Sequence, residues 1–177
     1  MNLVSNSALL RGLIYFGCLF IAGAYGISFT LPLYVQGLGG NEAIAGNILF
    51  AGAFGTLVCV GTSNQFMERL PPHLVVALGC LSYALGALAL GLSETIHVGL
   101  YLGGLLLGAG WGLAFTIGPI LLSSIVSDEK RAVYFSFLSA FNALGMGISP
   151  VAARHLLDNG VSHSALFASA AVLAVTS

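Results

Sequence analysis

Three cysteines, four histidines and eleven charged side chains are the groups in this 177-residue chain best suited to covalent, metal or proton chemistry. Cys18, Cys59 and Cys80 fall in three separate apolar runs with no paired spacing, so they read as packing residues rather than disulfides or ligands. His73, His97, His155 and His163 show no metal-binding interval. Ser149 and His155 point in different directions on one helix, and no G-x-S-x-G elbow surrounds the serine, which argues against a serine hydrolase. No strand leads into a glycine-rich phosphate loop. The expectation is a non-enzyme with no metal and no cofactor.

The charged residues inform through their placement. They are Arg11, Glu42, Glu68, Arg69, Glu94, Asp128, Glu129, Lys130, Arg131, Arg154 and Asp158, and they separate charge-free windows at 12–41, 43–67, 70–93, 95–127, 132–153 and 159–177. A helix needs about 20 mostly apolar residues to cross a bilayer. Each ion at mid-membrane costs roughly 2.5–3.5 kcal/mol on insertion scales, which explains why charge is confined to the breaks. With 58% hydrophobic and 6% charged residues and a mean hydropathy of +0.99, the chain cannot cover a soluble domain with a polar skin. A net charge of −1 leaves no basic field for a phosphate backbone, so no nucleic acid is expected as partner. A barrel would show short alternating segments instead of long apolar runs. The fold class is therefore all-α, a single transmembrane bundle over 1–177.

Six helices are expected at approximately 11–34, 43–66, 74–92, 98–125, 132–156 and 164–177. Gly37-Leu38-Gly39-Gly40-Asn41, Pro71-Pro72-His73, Ser93-Glu94-Thr95 and Asp158-Asn159-Gly160 supply the breaks between them. The first apolar run is too long for the core of a cleavable signal. A cytoplasmic N-terminus places Arg11, Arg69, Lys130 and Arg131 inside and only Arg154 outside, as the positive-inside rule favours. The last run reaches Ser177 without a polar flank, which leads to the expectation of half of a longer assembly.

Twenty-four glycines would weaken soluble helices, but in lipid they let backbones approach closely. Gly104, Gly108 and Gly112 recur every four residues and form one flat stripe; Ala51 with Gly55, and Gly145 with Gly147, offer smaller ones. Pro32, Pro119 and Pro150 fall inside the first, fourth and fifth helices, where each removes a donor and frees a carbonyl. Polar side chains also share faces. Tyr25, Ser28, Pro32 and Gln36 do so on the first helix, and Ser139, Asn142 and Ser149, with Ser136 nearby, on the fifth. The second helix adds Asn47 and the fourth Trp111, Phe115 and Thr116. Polar groups in hydrocarbon must face the bundle interior or water. They either bond helix to helix or line a solute path; serine and threonine also have their own helix's carbonyls to bond.

Three stretches make the chain resemble the N-terminal six-helix half of the major facilitator superfamily, in particular its sugar- and drug-efflux members. They are Leu31-Pro32-Leu33-Tyr34-Val35-Gln36-Gly37-Leu38-Gly39-Gly40 followed by Ala45-Gly46, the charged turn Ser127 to Ala132 containing Arg131, and Leu144-Gly145-Met146-Gly147-Ile148-Ser149-Pro150. The family's G-x-x-x-D-R-x-G-R-R loop is similar to Gly61 through Leu70, in which Gly61 and Arg69 match. Gln65 stands in place of the Asp and Phe66 in place of the first Arg, so the charge latch of the family would fall to Glu68 and Arg69. Gly104 occupies the position where proton-coupled antiporters often carry an Arg. The resemblance implies twelve helices in two halves around a mid-membrane solute site, with the first, second, fourth and fifth helices of this half lining it.

On these grounds the chain is read as part of a secondary transporter moving a small solute by alternating access. Its site residues would be Tyr25, Ser28, Gln36, Asn47, Trp111, Thr116, Ser139 and Asn142. Its gating and packing residues would be Gly61, Glu68, Arg69, Gly104, Gly108, Gly112, Arg131, Gly145, Gly147 and Pro150. The bacterial inner membrane is the expected location, with lipid, a small solute and a second six-helix half as partners. A membrane scaffold that only packs, and a half-size carrier working as a homodimer, are the competing readings. With no charge inside the first four helices, the cargo is expected to be neutral or apolar. The purified chain should stay monodisperse only in detergent or lipid; a single sharp species in plain buffer by size-exclusion chromatography would overturn the membrane assignment.

Overall fold

The computed structural model describes residues 3–177, with side chains from Ala8 onward, and all regular structure among them is helical. The helices are α1 (Leu3–Ile27), α2 (Leu31–Gly37), α3 (Glu42–Arg69), α4 (Pro72–Gly91), α5 (Val98–Ile125), α6 (Arg131–Asp158) and α7 (His163–Val175), with 3-10 turns at Ser28–Thr30 and Asp128–Lys130. α1, the first turn and α2 run on as one apolar stretch, Ala8–Gly37. With α3, α4, α5 and α6 this gives five helices long and apolar enough to cross a membrane. Six spans were expected. The sixth, α7, has 13 residues and rises about 20 Å, against a hydrocarbon thickness of about 30 Å.

The breaks act as caps. Asn41 Oδ1 accepts from the Ile44 amide at 3.0 Å, His97 Nδ1 from Gly99 at 2.8 Å and Ser162 Oγ from Ala165 at 3.2 Å, so α3, α5 and α7 each start with an orphan donor satisfied. Gly39 and Gly160 take positive φ, of 79° and 85°, in the turns that reverse the chain. Pro119 and Pro150 lie inside α5 and α6. Pro32 differs from expectation: it sits in the first turn of α2, after the Ser28–Thr30 turn. The Ser28 carbonyl that an interior proline would leave free instead accepts the Leu31 amide, so the 3-10 turn absorbs the cost.

Glycine sets the packing. A Cβ added at Gly104 would lie 2.6 Å from the Ile48 carbonyl oxygen, one at Gly108 would fall on the Gly52 carbonyl, and one at Gly112 would lie 3.0 Å from that of Thr56. The stripe on α5 thus meets backbone on α3 at the matching four-residue interval, and Thr56 Oγ1 donates across this contact to the Gly108 carbonyl at 2.9 Å. On another side α5 meets α4, where a Cβ at Gly86 would lie 2.7 Å from the Gly103 oxygen. α1 meets α6 in the same manner: a Cβ at Gly145 would lie 2.5 Å from the Leu19 oxygen, and one at Gly26 would lie 3.2 Å from Pro150 Cδ. Gly147, expected to pack beside Gly145, faces open space, because two residues along a helix turn it away from α1. Gly61 also meets nothing.

These pairings form a pattern. α1 packs on α6, α7 and α5, whereas α5 packs on α3, α4 and α1, and α4 meets α7. Exchanging α1 with α5, α3 with α6 and α4 with α7 leaves the set unchanged, which is the signature of two three-helix repeats about a pseudo-two-fold axis between α1 and α5. A buried cluster including Ile21, Leu31, Ile48, Tyr83, Leu100 and Phe167 runs through the centre. At one end the Tyr34 hydroxyl reaches the carbonyl oxygens of Leu90, at 2.7 Å, and Ser93, tying α2 to the end of α4. Gly108→Leu should cost about 3 kcal/mol or more through overpacking, lowering the melting temperature by roughly 6–12 °C. Gly147→Leu should leave it unchanged; equal melting of the two variants would refute the assigned contact face.

Candidate functional site

Where α1 and α5 cross, Tyr25 lies face to face with Trp111, ring centroids 4.3 Å apart and planes 17° from parallel. Trp111 stacks in turn on Phe115, at 5.0 Å and 28°, and Tyr25 meets Phe29 edge-on at 5.5 Å and 76°. The result is a row of four rings, Phe29–Tyr25–Trp111–Phe115, contributed by α1 with the 3-10 turn that follows it and by α5. The inner pair is shielded, Trp111 being 9% exposed, while Phe29 and Phe115 at the ends are 52% and 47% exposed. Offset-stacked and edge-on rings are worth about 0.5–1.5 kcal/mol per pair beyond area burial. The row therefore fixes the crossing of α1 and α5 and still presents an open aromatic face at each end.

Phe29 was not among the residues anticipated from sequence, although a signal for it exists. Tyr25-Gly26-Ile27-Ser28-Phe29-Thr30-Leu31 and Trp111-Gly112-Leu113-Ala114-Phe115-Thr116-Ile117 match in type at six of seven positions, Ser28 against Ala114 being the exception, with a proline shortly after each, Pro32 and Pro119. In both copies the first ring points to the pseudo-two-fold axis. The glycine beside it packs against an outer helix, Gly26 on α6 and Gly112 on α3. Comparing the two helices with each other would have found the pair.

The remaining anticipated residues scatter. Ser28 is buried, and its Oγ donates to the Tyr25 carbonyl at 2.5 Å. The Tyr83 hydroxyl lies fully enclosed among the described residues without a hydrogen bond of acceptable geometry, within interaction range of Ser28. Thr116 and Asn142 are half-buried, and Gln36, Asn47 and Ser139 are exposed. Ser149 donates to the Gly145 carbonyl at 2.8 Å and sits against Gly26, which places it in the α1–α6 contact. Of the residues expected to touch a solute, the structure brings Tyr25, Ser28 and Trp111 together and leaves the others apart.

Charge stays at the ends. Glu68 and Arg69 are exposed and make no ion pair among the described residues. Arg131 pairs with Asp128 at 2.5 Å, and Arg154 with Asp158 at 3.0 Å, each within its own segment and solvent-exposed. The Arg11 guanidinium lies over the Tyr134 ring, 5.0 Å from its centroid, joining α1 to α6 by a cation–π contact. An apolar groove of about 480 Å³ lies between α1, α4, α5 and the end of α7, lined by Leu13, Cys18, Ala77, Cys80, Leu121 and Ser177 among others. It does not include the four rings.

The family model of the Major Facilitator Superfamily matches residues 13–177, from near the start of α1 to the end of α7, and the chain belongs to that family. Members are secondary transporters, and the five apolar helices make this chain an integral membrane protein. Trp111 is the one tryptophan in the sequence, so its fluorescence reports the crossing directly. Tyr25→Leu should remove about 1 kcal/mol of ring attraction and shift the emission maximum of Trp111, while Gln36→Leu leaves it in place. An unshifted maximum in Tyr25→Leu would contradict the stacking.

Proposed function

We propose that this member of the Major Facilitator Superfamily carries a small neutral solute across the membrane by alternating access, outward as in the sugar- and drug-efflux members it resembles. The row of rings at the α1–α5 crossing is the observation that supports the reading most. It lies near the middle of the spans Ala8–Gly37 and Val98–Ser123, carries no charge, and ends in two half-exposed rings. A solute meeting such a surface gains from stacking and desolvation rather than from ion pairing. Tyr25, Ser28 and Trp111 form its centre in this proposal. Gln36, Asn47, Thr116, Ser139 and Asn142 line the path on either side.

α3 and α6 are the least covered of the long helices and offer Phe50, Phe54, Val133, Phe137 and Val151 outward. A second six-helix bundle packed on these two faces would enclose the ring row in a central cavity; Glu68, Arg69 and Arg131 sit at the ends that would approach and separate as the bundles rock. The basic residues favour a cytoplasmic N-terminus in the bacterial inner membrane. The same faces admit a second copy of this chain, which keeps the homodimeric carrier as the second reading.

The test is flux. Proteoliposomes holding the chain, alone and with any membrane protein that co-purifies with it, are loaded with radiolabelled methyl or phenyl β-D-glucoside. Loss of either solute should exceed that from protein-free vesicles and should fall in Tyr25→Ala. Flux from the chain alone favours the homodimer, and flux only with the companion favours a second half. Background rates under both conditions would reject transport in favour of a packing scaffold.

A further inference from the structure

We infer that the ring row provides two docking positions for a planar, uncharged aromatic group, one on Phe29 and one on Phe115; this rests on the transport reading above and adds the class of substrate. The argument begins with the repeated heptapeptide. Each copy supplies one inner and one outer ring a helical turn apart, Tyr25 with Phe29 and Trp111 with Phe115. The inner rings stack on each other across the pseudo-two-fold axis, so each shields a face of the other. The outer rings remain about half exposed.

Position along the bundle follows from chain direction. Successive long helices joined by short turns alternate in direction, so α1 and α5, the first and fourth, run antiparallel. One turn beyond Tyr25 on α1 and one turn beyond Trp111 on α5 therefore lead toward opposite ends of the bundle. A flat ring docked on Phe29 and one docked on Phe115 would lie on either side of a common aromatic wall, matched in position but not in tilt, since Phe115 lies 28° from the Trp111 plane and Phe29 76° from that of Tyr25.

The composition of the wall selects the ligand. The four rings are joined by no charged side chain, and Ser28 spends its hydroxyl hydrogen on the Tyr25 carbonyl. A cation would find ring faces but no carboxylate, and an anion would find the Tyr25 and Trp111 donors but no positive charge to offset its desolvation. A planar neutral group is what parallel ring faces recognise best. The antiparallel relation gives such a group one station on each side of the stacked pair, a helical turn from its centre and with the same partner type.

Trp111 reads the binding. Purified full-length chain in detergent is titrated with nitrobenzene, a planar neutral quencher, and with nitrocyclohexane, its saturated counterpart. Nitrobenzene should quench Trp111 saturably and nitrocyclohexane only linearly. Phe115→Leu and Phe29→Leu should each raise the half-saturation concentration by about threefold to tenfold. The ring-retaining Phe115→Tyr and Phe29→Tyr should restore it, and Phe54→Leu on the outer face of α3 should have no effect. Each variant is first checked for a monodisperse peak, and the tyrosine variants stand in for any leucine variant that fails to fold. Identical linear quenching by both probes, or half-saturation indifferent to Phe29 and Phe115, would overturn the inference. Because quenching requires no flux, saturable binding with background flux would reject transport and keep the aromatic site. Flux of methyl glucoside with linear quenching would do the reverse.

Discussion

Close backbone contact between helices in a solvent as apolar as their own side chains is the constraint on which this molecule depends. In water, helices gather because leucine leaves the solvent; in lipid that gain vanishes, and attraction must come from atoms brought very near. α5 meets the requirement on two sides, with Gly104, Gly108 and Gly112 against Ile48, Gly52 and Thr56 of α3, and Gly103 and Gly110 against Gly86 and Gly79 of α4. Helices placed this close leave room for bulky side chains only where their surfaces diverge, and the four aromatic rings occupy such a place between α1 and α5. The site is thus a by-product of the packing.

The repeat relating α1, α3 and α4 to α5, α6 and α7 gives the same result twice. A glycine next to an aromatic residue lets the helix press outward on its neighbour while the ring turns inward to its symmetry mate. Gly26 and Tyr25 do this on one side, Gly112 and Trp111 on the other. The proline that follows each copy is accommodated differently. Pro32 begins α2 after a 3-10 turn, whereas Pro119 sits within α5. The two halves are alike in contact and unlike in backbone detail.

Much of this was legible in residue types, and the reasons for the rest are physical. Charge placement announced an all-helical membrane bundle because ionisation is so expensive in hydrocarbon. The last helix was expected at 164–177 and lies at His163–Val175, a length already below that of a spanning helix. Polar stripes on single helices do not tell which residues the fold gathers: Gln36, Asn47 and Ser139 stand exposed, away from the stacked Tyr25 and Trp111. Serine and threonine mostly bond carbonyls of their own helix, as Ser28, Ser136 and Ser149 do. Phe29 carries no signal by itself, because a lone phenylalanine in an apolar run is uninformative until the run is aligned with its counterpart around Phe115 in α5. Gly147 shows the limit of spacing arguments, since only the position of a neighbour tells which of two glycines is covered.

The glycines of α5 bear on how such a chain diversifies. Along two of its sides any added carbon meets a neighbour's main chain, so those positions cannot drift without loosening the bundle. On the side bearing Trp111 and Phe115 the neighbours are side-chain rings rather than main chain. Change in what the molecule accepts is thereby channelled into a few aromatic positions, while the scaffold around them stays fixed.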